Sequence, residues 1–217
     1  MSKLHSPDEA LKMVKESAKA KFVESVDLAV KLGVNTTKGG VSIRGVVPLP
    51  HGSGKSVRVA VITKSDRVAE AQAAGAAVAG AEDLIEKISK GFLDFDILLA
   101  TPDMMGQVGK LGKMLGTKGL MPNPKSGTVT PDIAKAVSEF KAGKIEFRMD
   151  KGGVVHMLVG KVDFPEKHLL ANLDSAMSAL VKAKPSGTKG EYLRSVTVSA
   201  TMGPGISIDP RSFVKEQ

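Results

Sequence analysis

Hydrophobic and polar positions follow two different rhythms along this chain. Ser6-Pro7-Asp8-Glu9 opens a helical pattern that runs to about Ala20. Ser6 fits the N-cap, Pro7 the first turn, and the two acids the positive end of the helix dipole. Phe22–Val30 then interleaves β-forming and polar residues, and Val41–Val47 repeats that style up to a break at Pro48–Gly54. Beyond the break the strands become short and almost wholly apolar, at Val57–Ile62 and Phe95–Ala100. They alternate with helical stretches at Asp66–Ala74, Ala81–Lys90 and Pro102–Val108, and with one capped by Thr130-Pro131-Asp132 that reaches Ala142. Apolar strands separated by helices predict a small parallel sheet covered on both faces. After Gly143 the first rhythm returns. Ile145–Met149 and Val154–Val162 flank the turn signal Asp150–Gly153 and read as an antiparallel pair. Pro165 starts a helix to about Lys184, broken at Pro185-Ser186-Gly187. Tyr192–Ala200 alternates as a strand, and Gly205–Asp209 adds one more short one.

The two outer thirds share a style that the middle lacks. The predicted fold is therefore α/β (α+β) with two domains. Residues 1–52 plus 144–217 form a discontinuous α/β domain, interrupted by an inserted Rossmann-like three-layer α/β domain at 53–143. Gly52 and Gly143 mark the two chain crossings, where a hinge is expected.

Charge then narrows the function. The net charge is +8 with a pI near 9.6, which favours a polyanionic partner. Residues 53–143 carry 12 Lys+Arg against 10 Asp+Glu, and the outer segments carry 19 against 13, so the outer domain is the better polyanion surface. One Tyr, seven Phe and no Trp equip the chain poorly for stacking along single strands, so recognition of a folded RNA shape is the expected mode. Cys is absent, which excludes disulfides and thiolate chemistry. No apolar run is long enough to span a membrane, and the first seven residues lack the apolar stretch of a secretory signal.

Enzyme signals are weak. Gly52-Ser53-Gly54-Lys55-Ser56 resembles the end of a phosphate loop, but Leu49 stands where the first glycine is required and a strand follows in place of a helix. His5, His51, His156 and His168 stand apart with no ligand spacing. Asp94, Asp96 and Asp103 cluster around a strand end, where they read as strand-edge and capping residues.

Two segments suit RNA better. Lys110–Lys125 carries four lysines and no acid, and its Gly and Pro breaks predict a long basic loop able to approach phosphate closely. Lys110, Lys113, Lys118 and Lys125 are its candidate contacts. On the strand before Thr201-Met202-Gly203-Pro204-Gly205, the residues Ser195, Thr197 and Ser199 put hydroxyls on one face. Hydroxyls serve both phosphate oxygens and the ribose 2′-hydroxyl.

Taken together, Ala20–Val26, Leu49–Gly52, Phe95-Asp96, Thr101–Asp103, Lys110–Val129, Lys144–Arg148, Gly160–Val162, Leu193–Ser195 and Thr201–Gly203 resemble the ribosomal protein L-one family, of the bacterial type. The resemblance runs from Ala18 to Asp209. It implies a discontinuous RNA-binding domain that binds large-subunit (23S) rRNA and forms the mobile side stalk, releasing deacylated tRNA from the exit site. It also implies repression of the protein's own operon mRNA, a cytoplasmic, ribosome-associated location, a monomer when free, no cofactor, no metal and no enzymatic activity. By motif position the RNA-contacting residues are Lys21, Phe22, Glu24, Ser25, Asp27, Ser195, Thr201, Met202 and Gly203. Lys31, Lys161 and Lys167 are further electrostatic candidates. Asn35–Gly40 departs from the family's more charged stretch, and Phe164–His168 is shifted from the usual spacing around Lys167.

Overall fold

A computed structural model of the chain describes residues 3–34, 43–185, 188 and 190–213. The first half runs α1 (Pro7–Ser17), β1 (Ser25–Leu32), β2 (Arg44–Pro48), β3 (Val59–Ile62), α2 (Val68–Ala73), β4 (Val78–Gly80), α3 (Glu82–Ser89) and β5 (Ile97–Ala100). The second runs α4 (Met105–Val108), α5 (Gly112–Lys118), α6 (Ile133–Ala142), β6 (Lys144–Arg148), β7 (Val154–Lys161), α7 (Glu166–Lys182), β8 (Leu193–Ala200) and β9 (Ile206–Ile208). Among the described residues the architecture is mixed α/β with three sheets. The chain divides into two compact units: Met1–Lys55 with Gly143–Gln217, and Ser56–Ala142.

In the first unit, four strands pair in the order β7-β1-β8-β9, all antiparallel. Alternation along β1 buries Val26, Leu28, Val30 and Leu32 and turns Ser25, Asp27, Ala29 and Lys31 to the opposite face. α1 and α7 cover the inner face. Leu11 and Val14 from α1 join Leu169, Leu173 and Leu180 from α7 in one core with the strand residues. Ser6 caps α1, its Oγ accepting from the Glu9 N–H at 3.3 Å.

β2 and β6 form a separate two-stranded ribbon, and this corrects the antiparallel pair read at Ile145–Met149 and Val154–Val162. Among the described residues a single bridge, Met149–Val155, joins those two segments. Within this ribbon Phe147 lies over Gly45 of β2, where an added Cβ would come within 2.7 Å of the ring, so the glycine suits this pairing. β2 begins at Arg44; Val41 and Ser42 of the strand read from sequence lie outside the described residues, as do Asn35–Gly40, Ser186 and Gly187.

In the second unit the parallel sheet has the order β4-β3-β5. Ala60, Ile62, Leu98 and Ala100 face a core shared with α3, α4 and α5, while Val59, Val61 and Leu99 face α6 and Ala71 of α2. β4 escaped the sequence reading because three half-buried residues in an Ala/Gly-rich run carry little periodic signal. The basic loop read at Lys110–Lys125 is helical in its first half: a 3-10 turn over Gly109–Leu111 leads into α5. Val108, Leu111 and Leu115 fall on one side and are buried, which offsets the roughly 1 kcal/mol that each helical glycine costs. Gly119, left-handed at φ 73°, ends the helix.

Asn172 on α7 is fully buried, and its amide makes three hydrogen bonds to backbone groups. Its Nδ2 donates to the carbonyls of Gly52 at 2.9 Å and Val159 at 2.8 Å, and its Oδ1 accepts from the His51 N–H at 3.1 Å. Gly143 packs against the same segment with φ 112°, and a Cβ there would lie 2.4 Å from the Gly52 Cα. His51 and His168, read as isolated, stack with ring centroids 3.8 Å apart.

Replacing Asn172 removes the partner of three backbone groups, the buried Val159 carbonyl among them. Asn172→Leu should lower unfolding stability in chemical denaturation by at least roughly 1–3 kcal/mol. Tyr192, the chain's only tyrosine, donates its phenol to the Leu180 carbonyl at 3.1 Å, and burial pushes its pKa up to about 12. An unfolded tyrosine titrates near about 10. Between those values the folded protein keeps a proton that the unfolded chain has lost, so this contribution is complete below about 10 and disappears as pH rises through the window. Phenolate absorbance of the native protein should therefore show its midpoint near about 12.

Candidate nucleic-acid interface

Three segments far apart in sequence meet where β1 begins, and Glu24 joins them through its side chain and its main-chain carbonyl. Glu24 is 2% exposed. Its Oε1 accepts from the Ala20 N–H at 3.0 Å and its Oε2 from the Met202 N–H at 2.8 Å, while its carbonyl accepts from the Val162 N–H at 3.0 Å. Charge-assisted bonds from two backbone amides make a buried carboxylate tolerable. This inward turn of Glu24 also corrects the strand read at Phe22–Val30. β1 starts only at Ser25, and Phe22 and Val23 stand exposed ahead of it.

Thr201 extends the β1–β8 ladder by one side-chain rung. Its Oγ1 accepts from the Ser25 N–H at 3.0 Å and donates to the Ser25 carbonyl at 3.4 Å. Across β1, Lys161 Nζ donates to Ser25 Oγ at 2.9 Å. Gly203 closes the turn through its N–H to the Ala200 carbonyl at 3.1 Å, and a Cβ there would press on Ala200 and on Ser17 of α1. Out of this fixed framework project Phe22, 56% exposed, and Met202, 75% exposed. Lys21 is exposed beside Phe22. The structure thus gathers Glu24, Ser25, Lys161, Thr201, Met202 and Gly203 at one end of the sheet.

Other candidates lie elsewhere. Asp27 shares the outer face with Ser25. Partial burial of its carboxyl raises its pKa, with Lys161 and His156 acting in the opposite direction. Lys31 sits at the far end of β1, where Nζ donates to the Gly152 carbonyl, and it pairs across the strands with Ser195. Six residues of strand put those two about 20 Å from Ser25. Lys167 is exposed in the first turn of α7, and no described hydrogen bond or ion pair ties it to the cluster. Between the two ends, Thr197, Ser199 and His156 line the outer face. His156 was missed as a candidate, although alternation within Val154–Lys161 already puts it outward.

In the other unit Lys110, Lys113, Lys118 and Lys125 are all exposed. Lys110 lies on the 3-10 turn and Lys113 and Lys118 on α5, while the Lys125 N–H donates to the side chain of Asn123 at 2.8 Å. The acids around the parallel strands are ion-paired. Arg58 bridges Asp94 and Asp96, and Lys64 holds Asp103 at 2.8 Å, which keeps that carboxyl below its usual range. Among the described residues no group of three or more His, Asp or Glu side chains could hold a metal ion, and no helix is long and apolar enough to cross a membrane.

Glu24→Gln keeps the shape but turns one acceptor into a donor facing an N–H. It should cost roughly 1–3 kcal/mol of stability. Hydrogen exchange should show loss of protection at the Met202 amide, and unchanged protection there would remove Glu24 from this role.

The family model described as the ribosomal protein L1p/L10e family matches residues 14–204, a span that contains every residue of this cluster.

Proposed function

The chain belongs to the ribosomal protein L1p/L10e family, and we propose that its sheet-end cluster is the surface that grips folded rRNA. Membership makes the protein a structural, RNA-binding constituent of the large ribosomal subunit, in a family that is not one of enzymes. Within that role, Ser25, Lys161, Phe22, Met202 and Lys21 touch the RNA, while Glu24, Thr201 and Gly203 hold them in place. Asp27 and Ser195 extend the contact along the outer sheet face, and Lys31 and Lys167 add long-range attraction to phosphate. Lys110, Lys113, Lys118 and Lys125 serve as a secondary basic contact. The partner is a structured segment of 23S rRNA that forms the mobile side stalk, and release of deacylated tRNA from the exit site follows from that location. A similar fold in the protein's own operon mRNA makes it a translational repressor.

One observation carries this reading. A backbone locked by Glu24 and Thr201 presents an apolar pair, Phe22 and Met202, beside a hydroxyl–ammonium pair, Ser25 and Lys161. Such a surface suits ribose and phosphate in a defined shape better than bases stacked along a single strand. Filter binding to large-subunit rRNA fragments tests it. Thr201→Ala should lose about 1.5–3 kcal/mol, or roughly 10- to 150-fold in affinity, and Lys125→Ala far less. Parent-like binding by Thr201→Ala and Ser25→Ala would remove the cluster from recognition.

A further inference from the structure

The chain has ten methionines and no cysteine, so its sulfur chemistry is confined to thioethers. Met104, Met149, Met157 and Met177 are buried in the cores. Among the described residues two methionines stand out as exposed: Met13 on α1 at 39% and Met202 at 75%. Met202 does not owe this exposure to a loose terminus, because its own amide is held by the buried Glu24 carboxylate. The thioether is therefore held out at the centre of the proposed RNA surface.

We propose that Met202 is a sulfoxidation site through which hydrogen peroxide weakens rRNA binding by the free protein. This rests on the rRNA reading of the cluster. In the reaction the sulfur lone pair attacks one peroxide oxygen and the O–O bond breaks. The departing hydroxide takes the proton from the transferred oxygen and leaves as water. Sulfur loses two electrons, peroxide gains them, and an S=O bond replaces the lone pair. A flexible apolar tip becomes polar and chiral, and pressing an unpaired sulfoxide oxygen against ribose or anionic phosphate is unfavourable. A sulfoxide reductase supplied with thiols reverses the change: two thiols become a disulfide and the oxygen leaves as water. RNA covers the sulfur once bound, so the reaction belongs to the unassembled chain.

The test treats the full chain with hydrogen peroxide, maps sulfoxides by peptide mass spectrometry and measures filter binding to a large-subunit rRNA fragment. Met202 sulfoxide should accumulate ahead of Met13 sulfoxide, and the oxidised parent should bind about tenfold or more weakly. Met202→Leu carries no sulfur at this position, so its own affinity, whatever its starting value, should be the same before and after peroxide. Met13→Leu should remain as sensitive as the parent, and methionine sulfoxide reductases for both sulfoxide epimers, applied together, should restore binding. Unchanged affinity with the Met202 sulfoxide confirmed, or an equal loss in Met202→Leu, overturns the inference and leaves the rRNA reading intact. Failure of the untreated parent to bind the fragment overturns the rRNA reading itself, and the inference with it.

Discussion

The pairing of β1 between β7 and β8 is the constraint on which the first unit depends. A strand from the amino-terminal part forms the centre of a sheet whose flanking strands come from the carboxyl-terminal part. Closure entropy rises only with the logarithm of the intervening length, so even a long excursion adds little to the cost of this ladder. What the ladder gains is four fully apolar inward residues on β1, covered by α1 and α7. Once both helices occupy that side, the other face is left for polar residues and for whatever binds there.

The end of this sheet combines a stiff main chain with protruding side chains. Glu24, Thr201 and Gly203 spend their hydrogen-bonding capacity or lack of bulk on internal geometry. Phe22, Met202 and Lys21 spend theirs outward. Such division of labour reduces the ordering cost of binding, because the backbone is already fixed before a partner arrives. It also means that substitutions within one small cluster act by different routes, some through contact and others through loss of shape.

Local signals in the sequence were legible where local chemistry decides structure. Ser6 caps α1 as read, and the alternation of Ser195, Thr197 and Ser199 along β8 holds. The mixed α/β character and the parallel pairing of the apolar strands also followed from pattern. Features governed by tertiary partners were not legible. Nothing local marks Asn172 as a buried triple hydrogen-bonder, or turns Glu24 inward. The glycines of Gly109–Lys118 masked a helix whose Leu111 and Leu115 are anchored by distant residues. Lys31 shares the face of Ser25 by parity, yet strand length puts it well away from the cluster. Nor does anything local mark Gly45 as the cross-strand partner that makes room for the Phe147 ring.

The central position of β1 has a consequence for synthesis. Roughly 120 residues separate its end from the start of β7, which at 5–20 residues per second means about 6–24 s of translation. Throughout that interval Val26, Leu28, Val30 and Leu32 have emerged without the strands that shelter them. The stretch 56–142, whose elements are all contiguous, is complete before then. Nascent chains should therefore carry a finished lobe downstream of an unsatisfied greasy ribbon, which makes the latter a natural client for co-translational chaperones.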